Sequence, residues 1–168
     1  MAGLKLEIIQ DPPFFSLEEE AFLNLLRTAD CLERVFHRRT RSWGLTSTQY
    51  NVLRILRGAH PNGLTCAAIG SRMITAEPDI TRLLARLKVL ELIEQERDQQ
   101  DRRIVWTRIT GKGLELLQSM APTIQKLPVE LLGHLNKDEL QALIQLLEQA
   151  RNSRTNPQIE QIQNDRAV

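Results

Sequence analysis

Cysteine is scarce in this chain of 168 residues, where Cys31 and Cys66 are the only two. Two thiols cannot build a disulfide framework, so the expected setting is reducing and cytoplasmic. No apolar run approaches the ~20 residues that a membrane-spanning helix needs, and no membrane partner is expected. The opening stretch MAGLKLEIIQDPPFF has no basic start followed by a long apolar segment, so no secretory signal is read there. Gly-rich phosphate loops, nucleophile elbows and paired metal-ligand motifs are all missing. His37, His60 and His134 stand far apart without ligand-spaced neighbours, which argues against zinc. Internal repeats and low-complexity tracts are missing too. The expectation is a binding protein, not an enzyme, with no catalytic residue, metal or cofactor.

Charge of one sign is also nearly absent overall, since the net charge is only +1. Its distribution is uneven. Residues 27–112 hold 16 Lys and Arg against 9 Asp and Glu, whereas residues 1–26 hold 1 against 5 and residues 113–168 hold 5 against 7. A basic middle between acidic ends is the footprint of a segment that meets a polyanion. The competing reading is scattered solvated charge.

Apolar spacing divides the chain. Ser16-Leu17-Glu18-Glu19 is a capping box, and Phe22, Leu25, Ala29, Leu32 and Phe36 follow at helical spacing, so a long helix is expected from there to about Arg41, stopping near Gly44. Thr46-Ser47-Thr48-Gln49 is a second capping box, followed by Val52, Leu53 and Leu56. Thr65 can cap a short third helix with Ile69 and Met73 inward. Thr75 can cap a fourth, with Pro78 in its first turn, where a missing amide hydrogen costs little. Ile80, Leu83, Leu84, Leu87 and Leu90 mark the buried side of that fourth helix. Glu77, Asp79, Thr81, Arg82, Arg86 and Lys88 mark the other. The period then changes. Ile93 to Arg97 reads as a strand, Asp98 to Arg102 as a turn, and Ile104 to Ile109 as a second strand. Leu114, Leu117, Met120, Ile124, Leu127 and Leu131 carry another helical stretch, which Pro122 and Pro128 are expected to kink or break. Asn136-Lys137-Asp138-Glu139 opens a last helix, and a frayed polar tail is expected over 152–168.

The order helix, short helix, amphipathic helix, basic-tipped hairpin is that of a winged helix-turn-helix. The fold class is mostly α with a small β-hairpin wing plus a helical dimerisation region. Segment by segment, 1–44 and 113–151 would dimerise, 45–112 would bind DNA and 152–168 would be the tail. The fourth helix would enter the major groove, presenting Thr81, Arg82 and Arg86. Thr65, Ser71 and Thr75, at or near helix ends, would hold phosphates. Arg102 or Arg103 at the hairpin tip would enter the flanking minor groove, a narrow and strongly negative channel. Cys31, beside Leu32, reads as a buried structural thiol, and Trp43 and Trp106 as packing residues.

The ordered set resembles the MarR family of bacterial regulators. The resemblance is carried by Leu45-Thr46-Ser47-Thr48-Gln49-Tyr50-Asn51-Val52-Leu53, by Pro78-Asp79-Ile80-Thr81-Arg82-Leu83-Leu84-Ala85-Arg86-Leu87, by Asp101-Arg102-Arg103 and by Ile109-Thr110-Gly111-Lys112-Gly113. It covers roughly residues 17–150. It implies that Asp101 braces the wing and that Arg103 is the arginine entering the minor groove. The long apolar stripes of the first helix and the last two exceed what one small DNA-binding core can cover, so a homodimer on a pseudo-palindromic double-stranded operator is expected, and the resemblance implies repression released by a small, often aromatic or phenolic, effector. Glu77 and Asp79 depart from the pattern, because carboxylates facing DNA would repel phosphate. They support an alternative, a winged-helix protein-interaction module that has lost DNA binding. The two prolines after the wing depart from it as well, where the family usually has one long helix.

Overall fold

The computed structural model describes residues 3–152. The polar segment from residue 153 onward, read above as part of a frayed tail, lies outside the described residues. The chain divides into two compact units, the first ending at Leu127 and the second beginning at Pro128.

A short helix α1 (Leu4–Glu7), which the apolar spacing did not announce, precedes α2 (Leu17–Arg41). Ser16 caps α2 by accepting the Glu19 amide at 3.2 Å. The Glu19 carboxylate reaches one residue further back than a capping box requires and accepts the Phe15 amide. Thr46 caps α3 (Ser47–Gly58) in a complete capping box, the Gln49 side chain accepting the Thr46 amide at 2.9 Å. Thr65 caps α4 (Cys66–Gly70) through the Ala68 amide. Then come α5 (Ile80–Val89), the antiparallel strands β1 (Ile93–Arg97) and β2 (Val105–Ile109), and α6 (Gly111–Leu132). In the second unit Asn136 caps α7 (Lys137–Arg151) in another complete box.

Ile93 pairs with Ile109 and Arg97 with Val105 across the hairpin. Leu64 adds a bridge to Thr107 on the other edge of β2, exchanging two backbone hydrogen bonds of 2.8 and 2.9 Å. That bridge brings the segment before α4 against the wing, and Gly63 makes the approach feasible. Its φ is +78°, and a Cβ there would lie 2.6 Å from Arg108 Cγ and 2.7 Å from the Thr107 carbonyl oxygen.

One core holds the first unit. Val52, Leu53 and Leu56 of α3, Ile69 of α4 and Leu83, Leu84 and Leu87 of α5 pack with Leu92, Ile93 and Ile109 at the hairpin base. Leu117, Met120 and Ile124 of α6 complete it. Full burial of each such side chain is worth about 1.5–3 kcal/mol. α6 runs unbroken through Pro122 and Pro128, correcting the expected break, and the core accounts for its passage through Pro122. An interior proline costs about 3 kcal/mol, but Leu117, Met120, Ile124 and Leu127 are buried on both sides of Pro122 and only a continuous helix keeps them in line. Cys31 is a second correction. It is exposed, because α2 meets the core through Phe36 near its C-terminal end and Cys31 lies more than a turn before that contact.

Candidate nucleic-acid interface

The expected turn between the two helices of the motif is longer than Met73 to Thr75, and the cap lies elsewhere. Asp79, not Thr75, caps α5: its Oδ1 accepts the Arg82 amide at 3.0 Å. Thr75 is an exposed turn residue, and Pro78 lies just outside the helix, not in its first turn. Asp wins over Thr here because a helix capped by Thr75 would need helical backbone at Glu77, which Pro78 disfavours, whereas Asp79 lies after the proline. The turn is tied to α3 by Asn51, whose Oδ1 accepts the Ile74 amide at 3.1 Å. Asn51 was read only within the Leu45–Leu53 stretch that carries the resemblance, and nothing in sequence spacing connects it to a residue 23 positions later.

This arrangement explains both carboxylates that seemed out of place. Asp79 satisfies an orphan amide of α5 and complements the positive end of the helix. The half-buried Glu77 accepts the Asp79 amide at 3.4 Å. Both precede α5, Asp79 exposed at its cap and Glu77 half-buried.

The exposed side of α5 is cationic. Leu83, Leu84 and Leu87 are buried, whereas Thr81, Arg82, Ala85, Arg86, Lys88 and Val89 are exposed. Of the expected buried stripe, Ile80 is half-buried and Leu90 is exposed. Arg82 and Arg86, one helical turn apart, carry no salt bridge among the described residues. Of the hydroxyls expected to hold phosphates, Thr65 is half-buried and occupied as a cap acceptor, though its proton stays free to be donated. Ser71 is exposed and donates to the Ala68 carbonyl.

At the wing tip Asp101 Oδ1 accepts both the backbone amide of Arg103 at 3.0 Å and its Nε at 3.2 Å. The Arg103 side chain is nevertheless 93% exposed, held by one edge with its other donors pointing to solvent. Arg102 is exposed beside it. A second brace was missed in the sequence. Asp98 Oδ1 accepts the Gln100 and Asp101 amides at 2.8 and 3.0 Å, and its Oδ2 accepts Nε1 of Trp106 at 3.0 Å. Its place at the start of a polar turn was the available signal, since a turn-opening Asp captures the amides that follow it.

These hydrogen bonds, the Asp101 amide first, then the Trp106 indole and the Gln100 amide, hold the Asp98 carboxyl below the ordinary value of 3.8. A carboxylate with a lowered folded-state pKa contributes stability above its unfolded value and loses it as pH falls through the folded one. The tip should therefore stay intact at neutral pH and loosen only below about pH 4. Asp98→Ala should produce the same loosening at pH 7. The indole N–H proton resonance of Trp106 should shift in the variant and in acid, while that of Trp43 holds. An unmoved Trp106 resonance in Asp98→Ala would remove this brace from the account.

Among the described residues no group of His, Cys, Asp and Glu could hold a metal ion, and no helix is long and apolar enough to cross a membrane.

The geometry has counterparts among known proteins. A profile described as the MarR family matches residues 43–104. A solved MarR transcription factor from Planctomyces limnophilus is 39% identical, with 81% of this chain and 98% of that one covered and a TM-score of 0.64. The transcriptional regulator HosA of Escherichia coli O157:H7 is 28% identical over 129 residues, 73% of this chain and 93% of that protein. A mutant MarR from E. coli, solved in complex with operator DNA, has the same fold at 22% identity and a TM-score of 0.72, with 90% of this chain and all of that one covered.

Proposed function

Because the chain belongs to the MarR family of winged helix-turn-helix transcriptional regulators, we propose that it binds double-stranded DNA sequence-specifically, as a repressor and as a homodimer on a pseudo-palindromic operator. The observation that carries this reading is the pair Arg82 and Arg86, unpaired and one turn apart on the exposed side of a short amphipathic helix. α5 would lie in the major groove with Thr81, Arg82 and Arg86 towards base edges. Arg103, positioned by Asp101, and Arg102 would meet the flanking minor groove. Thr65, Ser71 and Thr75 would lie near phosphates. Glu77, Pro78 and Asp79 set where α5 begins.

Support for the dimer comes from apolar side chains that one chain leaves uncovered. Phe15 is 98% exposed and Phe22 59%, with Leu17, Leu25 and Leu26 also exposed near the start of α2. Such a patch marks an interaction surface. A small aromatic or phenolic effector that lowers DNA affinity completes the proposal, supported by family membership. The interaction-module alternative loses its support, since the carboxylates that favoured it serve the start of α5.

The test is selection of bound sequences from random duplexes by the purified protein. Two-fold symmetric sites should be recovered, as a dimer with one recognition helix per half-site requires. Affinity should fall steeply with salt, log K against log salt having a slope of about −0.9 per phosphate neutralised. Recovery of no preferred site would reject sequence-specific regulation, and recovery of asymmetric single sites would reject the dimer.

A further inference from the structure

The exposed side of α5 is not uniformly cationic. Between Arg82 and Arg86 lies an open hollow whose surface is almost entirely apolar, lined by those two side chains with Ala85, Val89 and Leu90. With an almost wholly apolar surface, the hollow is walled by the aliphatic stems of the two arginines, while Ala85 and the widely exposed Val89 contribute further apolar surface. Water gains little there, and a fully polar ligand would leave the hollow unmatched. We propose that it receives the C5-methyl group of a thymine, so that Ala85 determines specificity for a T·A pair next to the base pair read by Arg82.

The argument rests on the DNA-binding reading above and adds a base identity to it. Thymine is the only DNA base that presents an apolar group in the major groove, and alanine is a side chain that suits it. The flanking arginines select a polyanion as occupant, since a purely apolar partner would have to strip two unpaired cations of water. Ala85 is also the one small side chain among the exposed residues from Thr81 to Val89, so a base edge can approach the helix most closely there.

Each thymine of the selected half-site is replaced, one at a time, by deoxyuridine, which removes only the methyl group. Binding is read by fluorescence anisotropy. At one position the wild-type protein should lose about three- to tenfold in affinity, the worth of one buried methyl in a groove. In Ala85→Ser, whose fold is checked by circular dichroism, the loss at that position should disappear while the salt dependence stays. Serine on an exposed helical face costs little stability, and its hydroxyl makes the contact polar. Equal affinity for thymine and deoxyuridine duplexes at every position would overturn the proposal, as would undiminished sensitivity in Ala85→Ser or a selected half-site without thymine. Failure to select any site is a different result. It overturns the DNA-binding reading itself, and this inference with it.

Discussion

Arg82→Ala and Arg103→Ala should both weaken operator binding, but with opposite signatures. Arg82 is exposed in the first turn of α5, where a guanidinium can donate two hydrogen bonds to one guanine. Its loss should erase about 1–3 kcal/mol of discrimination at one base pair, roughly a 5- to 150-fold relaxation, while binding to scrambled duplexes changes little. Arg103 sits at the wing tip with its Nε held by Asp101. A groove-electrostatic contact adds affinity for any sequence. Its loss should therefore weaken matched and scrambled duplexes by a similar factor and flatten the salt dependence by about one phosphate equivalent. Anisotropy titrations on both duplexes at two salt concentrations separate the two. Unchanged operator affinity in both variants would show that the assigned face is not the DNA-binding one.

Gly63→Ala should be strongly destabilising for a single added methyl group. The residue holds φ +78°, where an L side chain is strained, and the added Cβ would press on Arg108 Cγ and on the Thr107 carbonyl oxygen. Arg108 can yield, being a long side chain, but Thr107 is wholly buried and its carbonyl is bonded to the Leu64 amide. Strain and overpacking together should cost roughly 2–4 kcal/mol. Gly58→Ala is the matched control, because a Cβ there meets nothing within 4 Å and the residue ends a helix. It should be neutral or stabilise by up to about 1 kcal/mol. Urea unfolding at fixed protein concentration measures both, since association would otherwise shift the midpoints. A Gly63→Ala midpoint within error of the wild type would mean that the bridge between Leu64 and Thr107 does not constrain this position.

Where structure follows from neighbouring residues, the sequence was readable. Thr46 with Gln49 and Asn136 with Glu139 place two helix starts because both partners of each box lie within one turn. The loss of helical period after Leu92 places β1 at Ile93–Arg97 as read. The misreadings share a different cause, in that the deciding partner is distant or competes. Thr75 and Asp79 are both good caps, and Pro78 decides between them. Pro122 taken alone ends a helix, but a buried stripe on both sides carries α6 through it. Cys31 looks buried beside Leu32 only if the whole length of α2 meets the core. The ties made by Asn51 to Ile74 and by Asp98 to Trp106 span 23 and 8 residues, and no helical or strand period links either pair.

The doubly braced wing tip has a consequence for how a partner would be met. Asp98 and Asp101 together fix the tip through five hydrogen bonds, so the entropic cost of ordering the loop from Asp98 to Arg103 falls on folding and not on association. A wing already in place needs no coupled ordering step when it reaches a groove. Rigid docking of this kind leaves the encounter rate to diffusion and electrostatic steering, and places most of the difference between good and poor sites in how long the complex lasts.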